Sequence, residues 1–131
     1  MLHHLEIYVG DLERTIEFWT PLLRQLGFTE DRWSGGVNYI VEQGGPYLSL
    51  LQAPQTHVGF GHHRKRIGLN HVAFEAKSRG QVDAVRAWAL EAGHTLLYDD
   101  RFPFATAPGY YAVFLEDPDR MKLEVVAPAE S

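Results

Sequence analysis

Seven histidines and no cysteine stand among the 131 residues. Disulfides, thiolate metal sites and cysteine nucleophiles are therefore excluded, and site chemistry must run through imidazole and carboxylate. Three residues have the type and setting for it. His4 opens the alternating run HLEIYV, His71 opens HVAFEA, and Glu124 sits inside KLEVV. A charged carboxylate on a buried strand face is costly unless it is paired or bound to a metal. Two neutral imidazoles and one carboxylate form a set that suits Mn, Fe, Co, Ni or Zn. Such a set leaves coordination positions free for substrate oxygens or water.

The elements around these residues repeat. In HLEIYV, Leu5, Ile7 and Val9 share one face and His4, Glu6 and Tyr8 the other, the pattern of a half-buried strand. Asp11 is placed to cap a helix over 12–26, whose apolar residues Leu12, Ile16, Trp19, Leu22, Leu23 and Leu26 recur at threes and fours. Pro21 is expected to kink that helix and Gly27 to stop it. Strands are expected over 28–33, 37–42 and 47–52, with glycine turns between them. After a linker containing GFGHHRKR the plan restarts: a strand at GLNHVAFEA, a helix over 81–92 stopped by Gly93, and strands over 95–98, 110–115 and 122–126.

Laid over one another, the halves match His4 to His71 and YLSLL, then Ala-Pro, to KLEVV, then Ala-Pro. Each half reads β-α-β-β-β, with module one about 1–54, a linker 55–66 and module two about 67–131. Ser49 is thereby set against Glu124, and His3 against Asn70. Neighbours on a strand point to opposite faces, so His3 is expected on the side of Leu5 and Ile7. Glu6 and Tyr8 share the face of His4 and are candidates for its surroundings. Tyr110 is read either as a donor of a hydrogen bond or proton to a substrate oxygen or as a core aromatic. His62 and His63 lie in the basic linker, read as a solvated loop or a lid.

The chain resembles the vicinal oxygen chelate superfamily, the glyoxalase, bleomycin-resistance and extradiol-dioxygenase group. The resemblance is carried by HLEIYVGDLERTIEFW with LGF closing the helix, by GLNHVAF, and by FLEDPDRMKLEVV. It implies an α+β fold of two βαβββ modules, a curved mixed sheet enclosing a metal-binding cup with helices outside. The family's ligand positions fall on His4, His71 and Glu124, and the inward face of the second module on Tyr110, Ala112 and Phe114. Where glyoxalase I has a fourth ligand, this chain has Ser49, so a three-ligand site is implied. Arg120 replaces the family's usual glycine in the D-P-D turn; a left-handed arginine costs about 1 kcal/mol.

The totals narrow the partners. With 17 acidic and 12 basic residues, a net charge of −5 disfavours nucleic acid. No apolar run approaches the ~18 residues of a membrane span. The N-terminus lacks a basic region followed by a long apolar core, so a cytoplasmic protein is expected. The resemblance implies a homodimer, since the usual arrangement pairs four modules. The function expected is metal-dependent chemistry on a small oxygen-rich substrate, of lyase, isomerase, dioxygenase or transferase type. The alternative is ligand sequestration without catalysis, as in bleomycin-resistance proteins.

Overall fold

A computed structural model describes residues 1–130 of the chain. They divide into two compact units, Met1–Gly61 and a second from His62 on. The first unit contains β1 (His4–Val9), α1 (Leu12–Gln25), β2 (Phe28–Trp33), β3 (Gly36–Val41), β4 (Tyr47–Gln52) and a single turn, α2 (Gln55–Val58). The second contains β5 (His71–Glu75), α3 (Arg79–Ala92), β6 (Thr95–Leu97), a 3-10 turn at Asp99–Arg101, β7 (Ala112–Glu116) and β8 (Lys122–Val126). Each unit is a βαβββ module with its own four-stranded mixed sheet, ordered β1-β4-β3-β2 and β5-β8-β7-β6. In both, the first strand runs parallel to the last and lies at the sheet edge.

Matching signals shape the two long helices. The Asp11 carboxylate accepts from the Arg14 amide at 3.2 Å, and the Ser78 hydroxyl accepts from the Gln81 amide at 3.1 Å. Each cap satisfies a backbone donor that the first helical turn leaves unpaired. Gly93 ends α3 in the left-handed conformation that glycine enters without steric cost. Pro21 does not break α1, which runs on to Gln25. The lost backbone bond lies within a helix already anchored by Trp19, Leu22 and Leu23, all fully buried. Burying such side chains contributes roughly 1.5–3 kcal/mol each.

Strand pairing decides which residues share a face. In the first unit Leu5, Ile7, Val37, Tyr39, Leu48 and Leu50 lie in one set of cross-strand pairs. The Thr20 hydroxyl of α1 bonds the Tyr39 hydroxyl at 2.9 Å, so this is the helix-covered face. His4, Glu6, Asn38 and Ser49 take the other face. In the second unit the Tyr111 hydroxyl donates to Asp83 of α3, which puts Val113, Leu115, Leu123 and Val125 under the helix. His71, Lys122, Glu124, Ala112, Phe114 and Glu116 lie on the face away from it.

One local expectation changes. Residues 110 and 111 precede β7 rather than forming it, because the Tyr110 amide donates back to the Ala107 carbonyl at 3.1 Å in a turn. Arg120 does take the left-handed conformation, with φ 64°, so the D-P-D turn keeps the backbone shape that glycine would favour.

Candidate functional site

In the second unit, β5, β8 and the turn before β7 bring His71, Glu124 and Tyr110 together. Glu124 is only 4% exposed, although it carries an ionisable group. Its Oε2 accepts a hydrogen bond from the Tyr110 hydroxyl. Its Oε1 lies 3.6 Å from His71 Nε2. The His71 ring is fixed from its other side, with Nδ1 2.6 Å from Asn70 Oδ1. An amide oxygen only accepts, so this contact makes Nδ1 the protonated nitrogen and leaves the Nε2 lone pair toward Glu124. The hydrogen bond to Glu124 pushes the Tyr110 phenol up to about 12, helped by burial and by the Glu124 charge. Tyr110 thus remains a neutral donor across the physiological range.

The donor set fits a divalent ion as far as this unit carries it. A separation of 3.6 Å is too long for a hydrogen bond. It approaches the ~3 Å between two donor atoms that share one ion through bonds of about 2.1 Å at right angles. The buried carboxylate has one oxygen held and one directed at an imidazole lone pair, as a ligand supported by its neighbours requires. Phe114 lies across from Glu124 on β7 and Ala112 further along; both are buried and give the carboxylate an apolar floor.

The first unit repeats part of this. His4 Nδ1 lies 2.8 Å from His3 Nδ1, and His4 Nε2 lies 3.6 Å from Glu6 Oε1. Tyr47 stacks on the His4 ring, with centroids 4.9 Å apart and planes within 9°. His3 precedes β1 and turns its ring to its neighbour, so it supports His4 instead of joining Leu5 and Ile7. Ser49 is buried and donates its hydroxyl to Asn38 on the adjacent strand. Tyr8 is 65% exposed. Among the described residues, no three His, Cys, Asp or Glu side chains are gathered closely enough to hold a metal.

The sequence profile of the Glyoxalase/Bleomycin resistance protein/Dioxygenase superfamily matches residues 1–125. The chain belongs to this superfamily. It is 45% identical over 129 residues to the uncharacterised protein YqjT of Bacillus subtilis (strain 168), covering 98% of this chain and 99% of that one. It is similar to the crystal structure of a candidate glyoxalase from Bacillus halodurans, with 48% identity, a TM-score of 0.92, and coverage of 98% and 96% of the two chains. Lactoylglutathione lyase from Agrobacterium tumefaciens shares the fold, at 19% identity and a TM-score of 0.65, over 98% and 94% of the chains.

Superfamily motifs led to His4, His71 and Glu124, but not to the groups that hold them. Asn70 and His3 occupy matching positions in the repeat and touch the same nitrogen of the following histidine. That repeat was the available signal for them. Tyr98 and Lys122 carried none, because their contact depends on a left-handed residue, Tyr98 with φ 58°. Burial lowers the His94 imidazole, which packs against Trp88 away from this site. The basic loop is less solvated than its composition suggests. Arg64 pairs with Glu116 at 3.0 Å, and His62 Nε2 is shut off from solvent.

Proposed function

We propose that the chain is a metal-dependent enzyme acting on a small oxygen-rich substrate, with His4, His71 and Glu124 as ligands to one divalent ion (Mn, Fe, Co, Ni or Zn). The observation that carries this reading is the buried Glu124 carboxylate, with one oxygen held by Tyr110 and the other aimed at His71 Nε2. A buried carboxylate with no cationic side chain bonded to it is expensive to keep charged unless a cation joins it. When bound, the ion supplies Lewis acidity to substrate oxygens and lowers the cost of negative charge developing on them.

The chain's own residues set the conditions for that chemistry. Asn70 selects the tautomer that leaves His71 Nε2 as a donor. Tyr110 occupies Glu124 Oε2, which favours ligation through the single oxygen Oε1. Phe114 and Ala112 exclude water from beneath the carboxylate and strengthen its electrostatic interactions. With Ser49 in place of a fourth acidic ligand, and its hydroxyl engaged by Asn38, three side chains would hold the ion and substrate oxygens could join them. Glu6 and Tyr8, on the strand face of His4, are proposed to line the substrate pocket.

The reading includes a cytoplasmic location, and it includes a homodimer, for which the edge strands β1 and β5 offer unpaired backbone groups. Light scattering at micromolar concentration tests the dimer. Metal analysis of purified protein, followed by turnover assays with hemithioacetals, catechols and epoxides, tests the activity. One ion per chain and turnover of one substrate class are expected. Ligand binding without metal or turnover would instead make the chain a sequestering protein.

A further inference from the structure

A cationic cluster lies beside His71 and Glu124 on the same sheet face. Lys122 is the direct β8 partner of His71 on β5 and of Glu116 on β7. The expected partner of its ammonium is Glu116, since opposite charges facing across strands attract. That carboxylate is already engaged, by Arg64 at 3.0 Å and by Arg120 at 3.4 Å. Lys122 turns instead to Tyr98. Its Nζ is 3.2 Å from the Tyr98 hydroxyl and lies over the rings of Tyr98 and Phe114, 4.9 and 5.2 Å from their centroids. Arg101 lies over the Tyr98 ring as well, at 5.4 Å.

The neighbouring carboxylates do not neutralise this cluster. Asp99 is held by Arg86 through two hydrogen bonds of 2.8 and 2.9 Å. Asp117 accepts from the backbone amides of Asp119 and Met121 inside its own turn. Arg64 and Arg120 therefore share one carboxylate, Glu116, while Lys122 and Arg101 both lie against the Tyr98 ring, in a chain whose net charge is −5. Lys122 has no carboxylate in ion-pair range among the described residues, and an ammonium with three donors spends one on the Tyr98 hydroxyl.

We propose that Lys122 and the Tyr98 hydroxyl, set in the aromatic notch of Tyr98 and Phe114, receive an anionic group of the substrate, a carboxylate or a phosphate. This deepens the metal-enzyme reading and rests on it for the word substrate. Lys122 and Glu124 are alternate residues of one strand, about 6.6 Å apart along it. A small molecule whose reacting oxygens lie at Glu124 and His71 would reach Lys122 with an anionic end a few bonds away. The aromatic walls exclude water and orient the ammonium, and Tyr98 adds a second donor by rotating its hydroxyl.

The test uses the intact chain after chelator treatment, so that it does not depend on a bound ion. Inorganic phosphate and acetate are titrated at constant ionic strength while the Lys122 Nζ and Tyr98 ring signals are followed by NMR. The variants are Lys122→Gln, Lys122→Arg and Tyr98→Phe, with Lys77→Gln as a remote control and circular dichroism as the check on folding. Saturable shifts are expected, weakened about tenfold or more by Lys122→Gln, largely kept by Lys122→Arg and weakened a few-fold by Tyr98→Phe. The anion that binds more tightly names the source of the charge. Equal binding by Lys122→Gln, equal loss in Lys77→Gln, or no saturable shift with either anion would overturn the proposal. Stoichiometric metal uptake alongside such a failure would leave the enzyme reading intact. Anion binding in a chain that takes up no metal would refute the reading and keep the subsite.

Discussion

The two modules are built alike and equipped differently. Each starts with an edge strand whose first residue is a histidine, and each histidine has its Nδ1 against the residue before it. At the centre of the last strand they diverge. The first module places Ser49 across from Asn38, a neutral pair that satisfies itself. The second places Glu124 across from Phe114, a carboxylate against an aromatic ring. Beside the histidine, the first module stacks Tyr47 on His4, where the second has Lys122 against His71. A scaffold that requires only alternation and helix caps tolerates both versions. The proposed site chemistry is one reason for the two modules to differ at these positions.

The largest effect expected is at the divergent position itself. Glu124→Ala should weaken Mn or Ni binding by a hundredfold or more, measured by calorimetry, because it removes a charged ligand. Ser49→Ala should leave that affinity within about twofold and cost about 1 kcal/mol of stability, since Asn38 loses its partner. Equal losses at both positions would erase the distinction between the modules.

The next effect is on the supports. Asn70→Ala should lower metal affinity about tenfold or more by freeing the His71 ring. His3→Ala should show by a smaller loss how far the first module copies this device.

Tyr110 gives a third comparison, read by absorbance of the phenolate. Its titration should stand near pH 12 and fall toward the ordinary value of about 10 in Glu124→Gln. The direction follows from charge: a carboxylate accepting the phenolic hydrogen bond opposes loss of that proton, and an uncharged amide opposes it less. A raised folded-state value contributes stability that is complete below the unfolded value and is lost as pH rises through 12.

The smallest effect is in the hairpins. The first module turns between β3 and β4 on Gly44 and Gly45, with φ 85° and 106°, and the second uses Arg120 at 64°. Arg120→Gly should raise stability by up to about 1 kcal/mol in thermal unfolding, since a left-handed arginine is strained and its contact to Glu116 is exposed.

The repeat made the architecture readable from the sequence. Alternation in HLEIYV, the cap at Asp11, and glycines after both helices are local signals, and local signals survive into the fold. The helix in the second half nevertheless starts two residues before the expected 81, because Ser78 supplies the cap. Alternation back from Phe114 and Ala112 puts Tyr110 on the Glu124 face, where it stands, although a turn from Ala107 keeps it out of β7 itself. Its bond to Glu124 and the approach of Tyr98 to Lys122 join residues far apart in the chain, and no spacing rule encodes them. The approach of His71 to Glu124 was legible in residue types and in the repeat, as was the position of Asn70 before His71, while the Tyr98 contact to Lys122 was not.

Cobalt titration of the metal-free chain tests the central claim most directly, because the ligand-field bands report the donor set itself. One equivalent should saturate the visible bands in the wild-type chain and in Ser49→Ala, while His4→Ala, His71→Ala and Glu124→Ala should each abolish or displace them. Bands unchanged in Glu124→Ala, or no saturable binding by the wild-type chain, would contradict the account.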